Sequence, residues 1–367
     1  MRAGRASGAG GVVVLAAAVT LAFGQAPTRQ STLIRRARVI DGTGGAPRQA
    51  DVRIAGDRIT GVGQLTPSPN DRIVDAGGLT LAPGFIDTHS HHDRGLESAR
   101  DALALVSQGV TTIVVGQDGG GSDLAGLFAR LERQPASVNV ASYAGHGAIR
   151  RRVMGDDFKR PATAAEIERM KPLLKAEMDA GALGLSTGLE YDPGIYSSKD
   201  EVLALAKVAG DAGGGYISHM RSEDRWFWDA LDELIAIGRV NRMPVQVSHI
   251  KLGMHDLWGQ ADKLIAVLDR ARADGVQLTA DIYPYTFWQS NLGVLYPKRN
   301  YADEKETDFV LAHVSLADDI IFNSFRSHPE YVGKTLAQVA EMRRAPAART
   351  LMSLLAEPGG ENAGIVA

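Results

Sequence analysis

Gly109-Val110-Thr111-Thr112-Ile113-Val114-Val115 is β-branched almost throughout, carries no charge, and runs into Gly116-Gln117-Asp118. A strand with no charged face belongs in a parallel sheet covered on both sides. Shorter apolar runs of the same kind follow at 138–141, 182–185, 216–218, 245–247 and 276–279. Helix signals lie between them. Thr163 with Glu166, and Ser198 with Glu201, have capping-box spacing. Leu264, Val267, Leu268 and Ala271 form an apolar stripe at helical spacing. Each strand ends in a polar residue: His89, Asp118, His146, Ser186, His219, His249 and Asp281, spaced 28 to 40 residues apart. One βα unit takes about 30 residues. Polar groups at the C-terminal ends of parallel strands are where a (β/α)8 barrel builds its active site. A doubly wound open sheet needs no ligand-type residue at nearly every strand end. The spacing therefore predicts an α/β fold with a TIM-like (β/α)8 barrel over 84–367. Seven strands are countable, and Ile320 to Phe325 is the candidate for an eighth.

Upstream of this pattern, 31–83 reads differently. Short alternating runs are broken by turn signals at Asp41-Gly42-Thr43-Gly44-Gly45 and Gly56-Asp57, which predicts a small β-domain of hairpins. Further upstream, Arg2 and Arg5 precede an apolar run from Gly11 to Phe23, and Gly24-Gln25-Ala26 offers small residues at a cleavage position. That is the pattern of a signal peptide over 1–26, and it predicts export to the periplasm or medium, with no stable membrane association after cleavage. Hydrophobic residues make up 44% of the chain and the formal net charge is -3, so nothing points to a nucleic-acid partner. The sequence has no cysteine, which excludes disulfides and thiolate metal sites. Any metal must sit on His, Asp, Glu or a modified Lys.

His89 and His91 stand two apart at the end of a strand, so both side chains face the same way and can share one divalent ion. His219 and His249 each end an apolar strand and each follows a serine. Four histidines at three strand ends meet only if the strands form a closed or tightly curved sheet. Asp118 could bridge two ions, or serve as a turn residue in its glycine-rich loop. That loop lacks both the GxxxxGK[ST] and GxGxxG frames of phosphate binders. Lys251 should point the same way as His249, to bind a substrate carboxylate or to sit in solvent. His146, in Gly145-His146-Gly147, lines the pocket or bonds a neighbouring loop.

Together these residues resemble the N-acyl-D-amino-acid deacylase (D-aminoacylase) group of the amidohydrolase superfamily. The resemblance rests on Ala82-Pro83-Gly84-Phe85-Ile86-Asp87-Thr88-His89-Ser90-His91, Gly145-His146-Gly147-Ala148-Ile149-Arg150 and Gly181 to Leu189. Ser218-His219-Met220-Arg221, Ser248-His249-Ile250-Lys251 and Ala280-Asp281-Ile282-Tyr283-Pro284-Tyr285 extend it in the same order. It implies a zinc-dependent hydrolase of N-acyl amino acids, with one or two ions and a β-sandwich beside the barrel. It carries metal ligation onto His89, His91, His219 and His249, and substrate contact onto Lys251 and Tyr283. There are two departures. The best-known D-aminoacylases place a cysteine where Asp118 stands. The family also ends its eighth strand in Gly-Ser-Asp-Gly, whose aspartate transfers the proton, and no such segment occurs here. The expectation is then a C-terminally truncated chain with no catalytic aspartate, which binds metal and turns over weakly or not at all.

Two alternatives remain at this point. A cyclic-amide hydrolase of dihydroorotase or hydantoinase type often carries a carboxylated lysine at the fourth strand, and 183–190 has none. The other is an inactive metal-binding fragment.

Overall fold

The computed structural model describes residues 30–367, so the signal-peptide expectation at 1–26 lies outside the described residues. The chain divides after Pro83 into two compact units.

The first unit is a single five-stranded sheet. It contains β1 (Ser31–Val39), β2 (Arg48–Ala55), β3 (Arg58–Gly63), β4 (Asp71–Asp75) and β5 (Thr80–Leu81). β1, β2 and β3 form the antiparallel meander that the turn signals predict, but β4 and β5 both pair with β1 in parallel. The hairpin reading therefore covers only the first three strands. Alternate residues Ala37 and Val39 of β1 pack against Ala50 and Val52 of β2 in a small apolar cluster.

The second unit is built on parallel strands: β6 (Phe85–Asp87), β7 (Val110–Val115), β8 (Asn139–Ser142), β9 (Ala144–Gly145), β10 (Gly184–Gly188), β11 (Gly215–His219), β12 (Val245–Val247) and β13 (Leu278–Ala280). They pair in the orders β6-β7-β8 and β9-β10-β11-β12-β13, all in parallel. Only Tyr143 separates β8 from β9, and its N–H donates to Val115 O at 3.0 Å, so the two pieces continue one another. The result is a run of seven successive parallel strand positions. The predicted eighth strand behaves otherwise. β14 (Gln289–Asn291), β15 (Ile321–Ser324) and β16 (Gly364–Val366) form a separate antiparallel sheet in the order β14-β16-β15. Ile321 to Ser324 is therefore not part of the parallel array.

Helices separate the strands and cover them. α1 (Leu103–Val106) and α2 (Leu124–Arg133) flank β7, and α3 (His146–Met154) with α4 (Ala164–Asp179) lie between β9 and β10. Two helices there explain why the gap from His146 to Ser186 is the longest of the series. α5 (Lys199–Asp211), α6 (Phe227–Asn241) and α7 (Ala261–Ala273) follow β10, β11 and β12. Their inward residues, among them Val202, Leu205, Leu231, Leu234, Leu264 and Leu268, are buried with Leu185, Tyr216, Val245 and Leu278 of the strands. Thr163 closes a full capping box with Glu166 at the start of α4. At α5 only half of the box forms. Ser198 accepts from the Glu201 N–H at 3.1 Å, but the Glu201 carboxylate turns inward.

It turns to a fully buried cluster. Arg150 Nη1 donates to the two Glu201 oxygens at 2.7 and 2.6 Å, and His146 Nε2 lies 2.9 Å from Glu201 Oε1. Arg150 also donates to the carbonyls of Pro193, Phe158 and Arg160. Burial opposes ionisation of Glu201, but His146 and Arg150 outweigh it and hold its carboxyl below the ordinary range. The sign follows from linkage. A carboxylate depressed in the folded state contributes its stability above the unfolded pKa, near 4.3, and loses it as the pH falls through the folded value. Acid unfolding followed by circular dichroism should thus be less steep below about pH 4.3 in Glu201→Gln than in the wild type.

Candidate metal centre

The five residues read as ligands converge at the C-terminal ends of the parallel strands. β6 leads through Thr88 to His89, whose N–H is held by Asp87 Oδ1 at 3.1 Å. Asp118 follows β7 and takes a left-handed backbone conformation, φ 52°. Just before it, Gln117 Nε2 donates to Val114 O and Thr88 O at 2.9 and 3.1 Å, which ties the ends of β6 and β7 together. His219 is the last residue of β11. His249 lies two residues past β12 with φ 34°, and its N–H donates to Asp281 Oδ1 at 2.6 Å. Non-glycine residues at positive φ cost free energy and concentrate where a side chain must be aimed.

Asp118 sits at the centre. Its Oδ1 lies 3.7 Å from His89 Nε2 and 3.6 Å from His249 Nε2, and its Oδ2 lies 3.3 Å from His91 Nε2. His249 Nε2 is 3.0 Å from His219 Nδ1. Three further carboxylates stand behind these groups. Asp281 Oδ1 is 3.3 Å from His89 Nδ1, Glu190 Oε2 is 2.9 Å from His219 Nε2, and Glu223 Oε1 is 2.9 Å from His249 Nδ1. The contact between His89 and Asp281 brings together side chains that follow β6 and β13. Two donor sets have the spacing to hold an ion: His89 with Asp118 and His249, and His219 with Glu223 and His249.

The electrostatics call for a cation. Asp118, Glu190, Glu223 and Asp281 face one lysine, Lys251, across a cavity of about 850 Å³. Burial opposes the Asp118 charge, but His249 and His91 hold the carboxyl well below the usual range. Burial likewise opposes a charged His249, yet Glu223 and then Asp118 hold a proton on it, up to about 10. A metal would compete with that proton for the same nitrogen. Glu190 is pushed up, chiefly by burial. His89 Nδ1, His89 Nε2 and Asp118 Oδ1 are buried without a hydrogen-bond partner. Buried polar atoms are nearly always satisfied; His89 Nδ1 faces Asp281 at 3.3 Å, and a divalent ion bound by nitrogen and oxygen donors fits His89 Nε2 and Asp118 Oδ1.

The glycines after Asp118 have a packing role. A Cβ on Gly145 would lie 2.4 Å from both Gly119 O and Gly121 N, and one on Gly121 would lie 2.2 Å from Tyr143 O. The loop therefore presses on the β8–β9 backbone, and the close approach accounts for its composition without a phosphate. Gly145→Ala must push this backbone apart. It is expected to cost about 1–3 kcal/mol, the range for overpacking, and to loosen metal binding through Asp118, which denaturant unfolding and zinc titration would measure.

The remaining expectations divide. Lys251 and Tyr283 line the cavity, with Lys251 Nζ 5.8 Å from the Tyr283 ring centroid. Lys251 is not free, since Nζ donates to both Glu223 oxygens at 2.6 Å. His146 does not line the cavity. It is the first residue of α3, and its ring is turned into the helix layer against Glu201. Glu190 and Glu223 are not legible as site residues, because both lie on loops beyond strand ends where no periodicity places them. Asp281 did carry a signal, its strand-end position, but no role followed from that alone.

Residues 72–320 match the model of a family described as the amidohydrolase family. The chain is 38% identical over 325 residues to an N-acyl-D-glutamate deacylase of Alcaligenes xylosoxydans xylosoxydans, covering 82% of this chain and 63% of that protein. It is 33% identical over 335 residues to a D-aminoacylase of the same organism, covering 85% and 65%. Among solved structures it resembles the N-acyl-D-glutamate deacylase of Bordetella bronchiseptica complexed with zinc and a phosphonate mimic of the tetrahedral intermediate. That match has a TM-score of 0.79 and 32% identity, over 91% of this chain and 70% of the other. The chain thus spans just under two thirds of the length of these curated relatives.

Proposed function

Because the chain belongs to the amidohydrolase family, in its D-aminoacylase group, we propose that the protein hydrolyses the amide bond of N-acyl-D-amino acids with the help of zinc. The observation that carries this reading is the convergence of His89, His91, His219 and His249 on Asp118, with buried donor atoms that have no other partner. On this reading those five residues hold one or two zinc ions. Asp118 would supply a harder, oxygen-based donor than a thiolate. A bound divalent ion polarises the amide carbonyl and lowers the pKa of water from 15.7 toward about 7.

The chain's own groups then orient the substrate. Lys251 is held in place by Glu223, and with Tyr283 it would receive the α-carboxylate. Phe287, Trp288 and Leu295 on the cavity wall would take apolar parts of the substrate and exclude water. The products are a free D-amino acid and a carboxylic acid. The proton-transfer group is, by the family resemblance, the aspartate of a Gly-Ser-Asp-Gly segment, which does not occur in residues 1–367, so turnover is to be measured on the protein as its source organism makes it. The same reading includes a (β/α)8 barrel with a β-sandwich alongside, and export directed by 1–26. The cyclic-amide alternative has no support at the fourth strand, because β10 and the residues after it carry no lysine before Lys199.

The test is hydrolysis of N-acetyl-D- and N-acetyl-L-amino acids, including the glutamates, before and after chelation. The expected result is turnover of D substrates that chelation abolishes and zinc restores. Equal rates on both enantiomers, or rates that survive metal removal, would contradict the proposal.

A further inference from the structure

Three of the four histidines share one arrangement. Each turns one ring nitrogen toward Asp118 or a neighbouring histidine, and each has a separate carboxylate on its other nitrogen. His89 has Asp281 at 3.3 Å, His219 has Glu190 at 2.9 Å, and His249 has Glu223 at 2.9 Å. His91, the most exposed of the four, has none.

The carboxylates are themselves fixed. Glu190 Oε1 accepts from the Glu223 N–H at 2.9 Å, and its carbonyl accepts from Arg299 Nη2 at 2.6 Å. Asp281 Oδ2 accepts from Gln246 Nε2 at 2.6 Å, while Oδ1 accepts from the His249 N–H. Glu223 is held by Lys251. Glu223 Oε1 is 2.9 Å from His249 Nδ1, while its Oε2 comes no nearer than 4.0 Å to His219 Nε2, so the histidine it holds is His249.

Resting on the zinc reading above, we infer that Glu190, Glu223 and Asp281 are positioning residues, each fixing the tautomer and orientation of one metal-binding histidine. A carboxylate on the outer nitrogen keeps a proton there, leaves the inner nitrogen free to donate its lone pair, and makes it more basic. Losing such a partner typically costs about 10–100-fold in metal affinity.

The test compares zinc affinity by chelator competition in the wild type, Glu190→Gln and Asp281→Asn. The visible spectrum of the cobalt(II)-substituted proteins and the melting temperature of the metal-free proteins are recorded alongside. The expected result is zinc binding weakened about 10–100-fold in both variants, with altered cobalt spectra and unchanged metal-free melting. Wild-type affinity and spectra in both variants would overturn the inference while leaving the zinc reading intact. Weakened binding matched by an equal loss of metal-free stability in both would also overturn it, since the role would then be structural. A wild type that binds no zinc would overturn inference and zinc reading together.

Discussion

Arg150→Met is expected to destabilise the protein by about 3–5 kcal/mol, the cost of leaving one member of a buried ion pair without its partner. Arg150 is fully buried, and its guanidinium satisfies Glu201 and three carbonyls at once. Methionine fills much of the volume but leaves a charged carboxylate facing only His146. The loss should extend toward the metal centre, because Arg150 holds Pro193 O and so anchors the segment that carries Glu190 and Tyr191. Replacing Arg150 and Glu201 together by apolar residues should recover part of the stability, since no orphaned charge remains. Denaturant unfolding of the two single variants and the double variant measures this directly. A single-variant loss below about 1 kcal/mol, the level of an exposed pair, would show that the cluster is not the anchor described.

The second large effect is on activity. His219→Ala removes a residue that is buried at the end of β11 and touches His249, Glu190 and Tyr191. If the metal supplies several kcal/mol of transition-state stabilisation, a loss of about 4 kcal/mol corresponds to roughly a thousandfold in rate. Deacylation should fall by at least that much, with zinc content falling in parallel and adding zinc back giving no recovery. A variant retaining both metal and activity would remove His219 from the site.

Much of this arrangement is legible in the sequence, for reasons that differ by residue. Val110 to Val115 reads as a parallel strand because burial on both faces excludes charge, and β7 spans those residues. His89, His219 and His249 are readable as a set because strand ends share one edge of a parallel array. The same logic misplaces His146. The helix starts at His146 itself, with no intervening loop, so its side chain belongs to the helix layer rather than to the strand-end cavity. Glu201 shows a signal with two competing uses. Its spacing from Ser198 predicts a capping box, but the buried Arg150 offers the carboxylate a stronger partner than an exposed backbone N–H. Ile321 to Ser324 looks like an eighth parallel strand by composition, yet its pairing partner lies at Gly364–Val366, a register that no local pattern announces. Glu190 and Glu223 are invisible for a related reason, since loop residues acquire their neighbours only when the tertiary fold closes.

The most direct test of the central claim is anomalous diffraction at the zinc edge on crystals of the protein grown with zinc. The account predicts a strong peak bounded by His89, His91, Asp118, His219 and His249, at the roughly 2.0–2.2 Å expected for zinc bound to nitrogen and oxygen. A peak held by other residues, or no peak among these five, would contradict it.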